Sequence, residues 1–232
     1  MQEYWVPMDK KYLNDKKLKY NLLLWGRSIA GFKEINGRKI CVFPKSVLNF
    51  SHIERFISQT NIELRGCKQR TGTRVTLKNS YNEMLATGLW SELKPDYIAI
   101  SDTTGVSTKI NTRQIYTIVQ TLKDDETKIL LWLDQMKDYE RKQLHSPYIV
   151  TNKKGTQILG HSYNNSSNKK IKEIYYNLQE LGFITLAQRT AIGNNGQQYP
   201  CYHIIDINLD ANPFEIPPAD YDGPIEDIMD EF

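Results

Sequence analysis

The chain has 232 residues, 40% hydrophobic and 25% charged, enough for one large domain or two small ones that each bury a core. It contains no apolar run near the ~18 residues of a membrane span and no basic-apolar leader ending in small residues, so neither a span nor a secretory signal is expected. Cys41, Cys67 and Cys201 are few, odd in number and far apart, which fits a reducing cytoplasm rather than a disulfide framework. The net charge of +3 conceals an asymmetry: residues 210–232 hold eight acids and no Lys or Arg, leaving 19 acids against 30 bases, a net +11, over residues 1–209. A basic body with an acidic tail points to a polyanionic partner, usually nucleic acid.

In chain order, Leu13–Trp25 places polar capping residues before an apolar helix whose inward stripe is Leu18, Leu22, Trp25 and Ile29. Lys39–Ser46 reads as a strand running into a lysine-bearing helix. An extra helix is expected around Ser51–Ser58, then a basic loop over Arg65–Arg74. The third helix carries Leu77, Tyr81, Met84 and Leu85 and ends at Gly88-Leu89-Trp90. After the strand-like YIAI comes a polar stretch, Asp102–Lys109, which marks a domain boundary, and INTRQIYTIV reads as the opening strand of a second unit.

The second unit is clearer. Ile129, Trp132, Leu133 and Met136 fall on one helical face, with Asp124 or Asp125 as N-cap and Glu126 favouring the positive end of the dipole. PYIV is a short strand and Lys153–Leu159 a short helix. A longer helix follows, with Ile171, Ile174, Tyr175, Leu178 and Leu181 on one face, Ser166 or Ser167 as N-cap and Gly182 just past its end. Phe183–Gln188, the turn-forming GNNG at Gly193–Gly196 and Tyr199–Ile207 make a β-hairpin.

Helix, strand, short helix, long helix and hairpin follow one another as in a winged helix. The first half repeats the plan, with Leu13–Trp25 set against Leu122–Asp134 and Gly88-Leu89-Trp90 against Gly182-Phe183-Ile184. The expected fold is α+β: tandem winged-helix domains over residues 1–103 and 104–209, then a disordered acidic tail over 210–232. One winged helix after an unrelated α+β domain is the alternative.

Docked in the usual way, the third helix of the second unit would put Asn165, Ser166, Ser167, Asn168, Lys169, Lys170 and Lys172 at the major groove or on phosphates. Lys153 and Lys154 lie one helix earlier, within reach of the backbone, and Arg189, Asn194 and Asn195 ride on the hairpin. In the first unit the candidates are Arg65, Lys68, Gln69, Arg70, Thr73, Arg74, Lys78 and Asn79. Trp25, Trp132, Tyr81, Tyr175 and Phe183 fall at core spacing, and Tyr176 alone is expected off the apolar face.

No phosphate-binding GxxxxGK[ST] occurs, and His52, His145, His161 and His203 are scattered singly, so neither a metal site nor a cofactor is expected and no enzyme is read. In the tail, acids including Asp222, Glu226, Asp227, Asp230 and Glu231 alternate with Ile225, Ile228, Met229 and Phe232. Such a segment can dock on a replication or host protein as a short motif, or fold back on the basic body.

LKDDETKILLWLDQM, PYIVTNKKGTQILG and NKKIKEIYYNLQELGFI together resemble the winged-helix domain of plasmid and phage replication initiators, and of replisome organisers, from low-GC Gram-positive bacteria. Lys128, Leu131, Leu178, Leu181, Gly182 and Ile184 occupy places of that pattern, with Thr127 where alanine is usual. The resemblance implies a bacterial cytoplasmic initiator that binds double-stranded DNA at origin repeats, as a homodimer and without a cofactor. A transcriptional repressor, or a winged-helix inhibitor of a host complex, are the rival readings.

Overall fold

The computed structural model describes residues 3–15, 18–48, 81–93, 96–101, 105–144, 148–192, 194 and 196–213. The helix expected at Ser51–Ser58 and the start of the third helix at Leu77 lie outside them. The described residues form a mixed α+β fold. Its elements are β1 (Glu3–Pro7), α1 (Lys10–Leu13), α2 (Tyr20–Ile29), β2 (Gly31–Ile35), β3 (Arg38–Pro44), a helical segment α3 over residues 81–86, β4 (Trp90–Leu93) and β5 (Tyr97–Ile100). Then follow β6 (Ser107–Asn111), α4 (Thr112–Thr121), α5 (Asp124–Leu144), β7 (Tyr148–Thr151), α6 (Asn152–Ile158), α7 (Asn165–Glu180), β8 (Ile184–Ile192) and β9 (Gln198–Ile207).

Among the described residues three sheets result, and two share one pairing plan. In the first half β3, β5 and β4 lie side by side, with β2 added at the β3 edge; in the second half β7, β9 and β8 take the same order. The correspondence reaches single bonds. Gly88 and Gly182 both take positive φ, 72° and 75°. The carbonyls after them, on Leu89 and Phe183, accept from Ser101 and Asn208 at 2.9 and 2.8 Å. Trp90 and Ile184 then open their strands opposite Ile100 and Ile207.

The third sheet joins the halves. β1 pairs antiparallel with β6 from Glu3↔Asn111 to Pro7↔Ser107, so the two strands exchange places in a symmetric register about Trp5↔Lys109. The offset that carries β1 onto β6 also carries Leu18 onto Leu122 and the first residue of α2 onto that of α5. Both leucines are buried two residues before their helices begin. The match of Leu13 to Leu122 read from sequence is thus five residues out of register.

INTRQIYTIV is mostly helix, not strand. Asn111 and Gln114 form a reciprocal capping box, at 3.0 and 2.9 Å, that starts α4. Ile115, Ile118, Val119 and Leu122 then recur at helical spacing and are buried. In α2 the stripe also shifts: Leu23 and Leu24 are fully buried, whereas Leu22 is half-buried and Ile29 lies exposed at the edge. That helix packs on both α4 and α5, so it needs a wider apolar face than one stripe supplies.

Asp124 and Asp125 do not cap α5. Glu126 does part of that work, its carboxylate accepting from the backbone N–H of Lys123 at 2.7 Å. Asp124 instead accepts from the backbone N–H of Asn21 at 2.9 Å and so caps α2, whose own flanking residue Lys19 makes no side-chain cap. Burial pushes the Asp124 carboxyl up to about 6, opposed by the Asn21 N–H and by Lys19 and Lys128. One hydrophobic core runs through both halves, from Val6, Tyr20 and Phe43 to Leu131, Tyr175 and Tyr202.

Candidate nucleic-acid interface

The N-terminus of α7 is set by Asn164, not by Ser166 or Ser167. The Asn164 side chain accepts from the Ser167 N–H, and the Ser167 hydroxyl accepts from the Asn164 N–H, both at 2.9 Å. Ser167 also donates to the Ser162 carbonyl at 2.8 Å. At the other end Gly182 donates to Gln179 and Phe183 to Leu178, at 3.0 and 2.9 Å, a Schellman closure with both apolar partners buried. Ile171, Ile174, Tyr175 and Leu178 face the core, as the spacing predicts.

α6 presses on this buried face at Gly155, where a Cβ would lie 2.6 Å from both Ile171 Cγ1 and Tyr175 Oη. Thr151 caps α6, its hydroxyl accepting from the Lys154 N–H at 3.2 Å. The buried Asn152 donates its side-chain amide to Asn168 Oδ1 at 2.5 Å, which holds the first turn of α6 against that of α7.

Of the seven polar residues read as one contact cluster, the fold divides the roles. Ser167 is buried in the capping box, and Asn168 is half-buried with its side-chain oxygen accepting from Asn152, so these two are less open to a ligand than the rest of the cluster. Lys170 leans the other way, onto Asp125 at the start of α5. Asn165, Ser166 and Lys169 are exposed and Lys172 half-buried, on the face opposite the core. Lys169, with its side chain 81% exposed, has Glu173 3.8 Å away on the next turn.

Around that face stand groups from neighbouring elements. Lys153 is exposed on α6, while Lys154 is half-buried with its ammonium 5.6 Å from the Trp132 ring centre. Tyr176 is exposed, as expected, and its hydroxyl donates to Gln188 Oε1 of β8 at 3.1 Å, tying the hairpin to α7. Arg189 and Asn194 are exposed on the hairpin, together with Ile192. Tyr163, exposed just before the cap, was not singled out from sequence; its place two residues ahead of the helix is the only signal that marks it. Asn195, Arg65, Lys68, Arg70, Arg74 and Lys78, with Gln69, Thr73 and Asn79, lie outside the described residues, as does the tail beyond Pro213.

Among the described residues no group of three His, Cys, Asp or Glu could hold a metal ion, and no helix is long and apolar enough to cross a membrane. Comparison with family models, with curated proteins and with solved structures returned no match.

Proposed function

We propose that the chain is a sequence-specific double-stranded DNA-binding protein of two winged-helix units in tandem, with α7 as the reading helix of the second unit and β8–β9 as its wing. The observation that carries this reading is the division of labour on α7. Capping and packing consume Ser167, Asn168 and the apolar stripe, leaving Asn165, Ser166 and Lys169 outward beside Lys172 and Lys153. Amide and hydroxyl groups suit base edges and ammonium groups suit phosphate, the mixture a major-groove helix needs near its start.

On this reading, and on the resemblance of the sequence to plasmid and phage initiators, the chain marks an origin in the bacterial cytoplasm and recruits replication proteins. It uses no cofactor, and it assembles as a homodimer. The test is to incubate the full chain with fragmented DNA of its source element and host at about 150 mM salt and sequence what is retained. A cluster of repeated sites supports the initiator, and palindromes upstream of genes turn the reading toward a repressor. No enrichment by the native chain, and none lost by a Lys169→Glu, Lys172→Glu variant, overturns DNA recognition in favour of a protein-binding module.

A further inference from the structure

We infer that the acidic tail is an internal competitor for the DNA-reading face: residues 214–232 dock in cis on the outward side of α7 and α6. The inference rests on the DNA-binding reading for its consequence, and on charge, reach and surface chemistry for the contact itself.

Reach comes first. The last described residues of the chain fold against the C-terminal end of α7, with Ala211 Cβ 4.0 Å from where a Cβ on Gly182 would stand. Asp210 is held there by the Gln114 side-chain amide at 3.0 Å. From that anchor to the start of α7 is the length of a 16-residue helix, about 24 Å. The 19 residues after Pro213 span up to roughly 65 Å when extended. That length is more than enough to reach the start of α7.

Chemistry then favours this face as the occupant's seat. Residues 214–232 carry seven acids and no Lys or Arg, interleaved with Ile225, Ile228, Met229 and Phe232. The face interleaves exposed Lys169 and Lys153 and half-buried Lys172 with exposed Tyr163 and Tyr176. The tail's mixture of acids and apolar residues is thus complementary to the face's mixture of ammonium and aromatic groups. Lys170 and Lys154 are not counted in this set, since one is engaged by Asp125 of another helix and the other lies over Trp132. Lys169 is counted because it meets only Glu173 of its own helix, at 3.8 Å, and its side chain stays 81% exposed.

Tethering makes a weak contact effective. At an effective concentration on the order of 1 mM, a contact with a dissociation constant of about 0.1 mM lowers the apparent DNA affinity about tenfold. The competition divides specific and non-specific affinities by the same factor, so specific sites, which start tighter, stay occupied at protein concentrations where non-specific sites empty.

Two forms test this: the full chain, and a full-length variant with Asp222→Asn, Glu226→Gln, Asp227→Asn, Asp230→Asn and Glu231→Gln. Each is titrated with a fluorescent mixed-sequence duplex at low and at physiological salt, and each is treated with a zero-length carbodiimide crosslinker and mapped. The inference expects about tenfold tighter duplex binding by the variant at low salt, shrinking as salt rises. It also expects crosslinks from tail acids to Lys169, Lys172 or Lys153 in the native chain. Equal affinities, crosslinks absent or only between molecules, or tail acids captured by a different protein alone would overturn it. If neither form binds duplex, the DNA reading fails and the competition with it, while the crosslink map decides the cis contact separately.

Discussion

The side-chain amide of Asn21, on α2, donates to the carbonyl of Leu122, 2.9 Å away at the entrance to α5. The same side chain accepts from the Thr127 hydroxyl at 2.6 Å, while its backbone N–H goes to Asp124. One residue of the first half is thus bonded to three of the second. Asn21→Ala leaves the fully buried Thr127 hydroxyl without this acceptor and should cost about 2–3 kcal/mol. Urea unfolding would show it as a lower midpoint at unchanged slope. A loss under about 0.5 kcal/mol would mean that water replaces the junction at no cost.

Asp124 gives the same junction a pH dependence. Burial raises its carboxyl from an ordinary 3.8 to about 6. Between these values the folded chain holds a proton that the unfolded chain releases, so the stability due to this group is full below pH ~4 and falls as pH rises through ~6. Asp124→Asn keeps an oxygen acceptor for the Asn21 N–H but cannot ionise. Its stability should therefore fall less between pH 4 and 7 than that of the native chain, by on the order of 2–3 kcal/mol. Parallel profiles from urea titrations at several pH values would contradict the assignment.

Gly155 sets how closely α6 approaches α7. A helical Gly→Ala exchange normally gains about 1 kcal/mol, but here the added methyl meets Ile171 and Tyr175 at 2.6 Å. Gly155→Ala should lose about 1–3 kcal/mol, a fall in Tm of roughly 3–10 °C. Gly31→Ala, with nothing within 4 Å, serves as the control, and equal melting of the two variants would refute the close contact.

Lys169 and Lys170 are neighbours in sequence with different expected roles. Lys169, its side chain 81% exposed, has only Glu173 of its own helix nearby at 3.8 Å, whereas Lys170 is tied to Asp125 of α5. Lys169→Ala should weaken duplex binding and reduce the salt slope by about 1, the signature of one lost phosphate contact. Lys170→Ala should leave the slope alone. A salt series of binding isotherms separates them, and the opposite ranking would place the interface on another face of α7.

Much of the second half was legible because its periodicity is strong. The apolar faces of α5 and α7, the Gly182 stop and the hairpin follow from spacing and turn chemistry. The first half was harder for reasons that specific residues show. Asn36-Gly37 is a strong hairpin signal, and both residues take positive φ, 53° and 72°, yet β2 before it is exposed along most of its length and lacks an apolar alternation to announce it. β1 went unread because its partner β6 lies a whole unit away. At the candidate interface, residue type marked the region but not the assignments. Ser167, Asn168 and Lys170 differ from Asn165, Ser166 and Lys169 only in helical phase and in the partners Asn164, Asn152 and Asp125 supply. Two of those partners, Asn152 and Asp125, belong to other helices, which local spacing does not reveal.

The pairing of β1 with β6 has a consequence during translation. Tyr4 and Val6 are made about a hundred residues before the strand that covers them, Ser107–Asn111. At about 5–20 residues per second, the opening strand waits on the order of 5–20 s with its edge bare. Over the same interval α2 lacks the Asp124 carboxylate that caps it. Until Asn111 has been made, β1 lacks the partner strand it has in the folded chain, and the first half lacks the contacts that join it to the second.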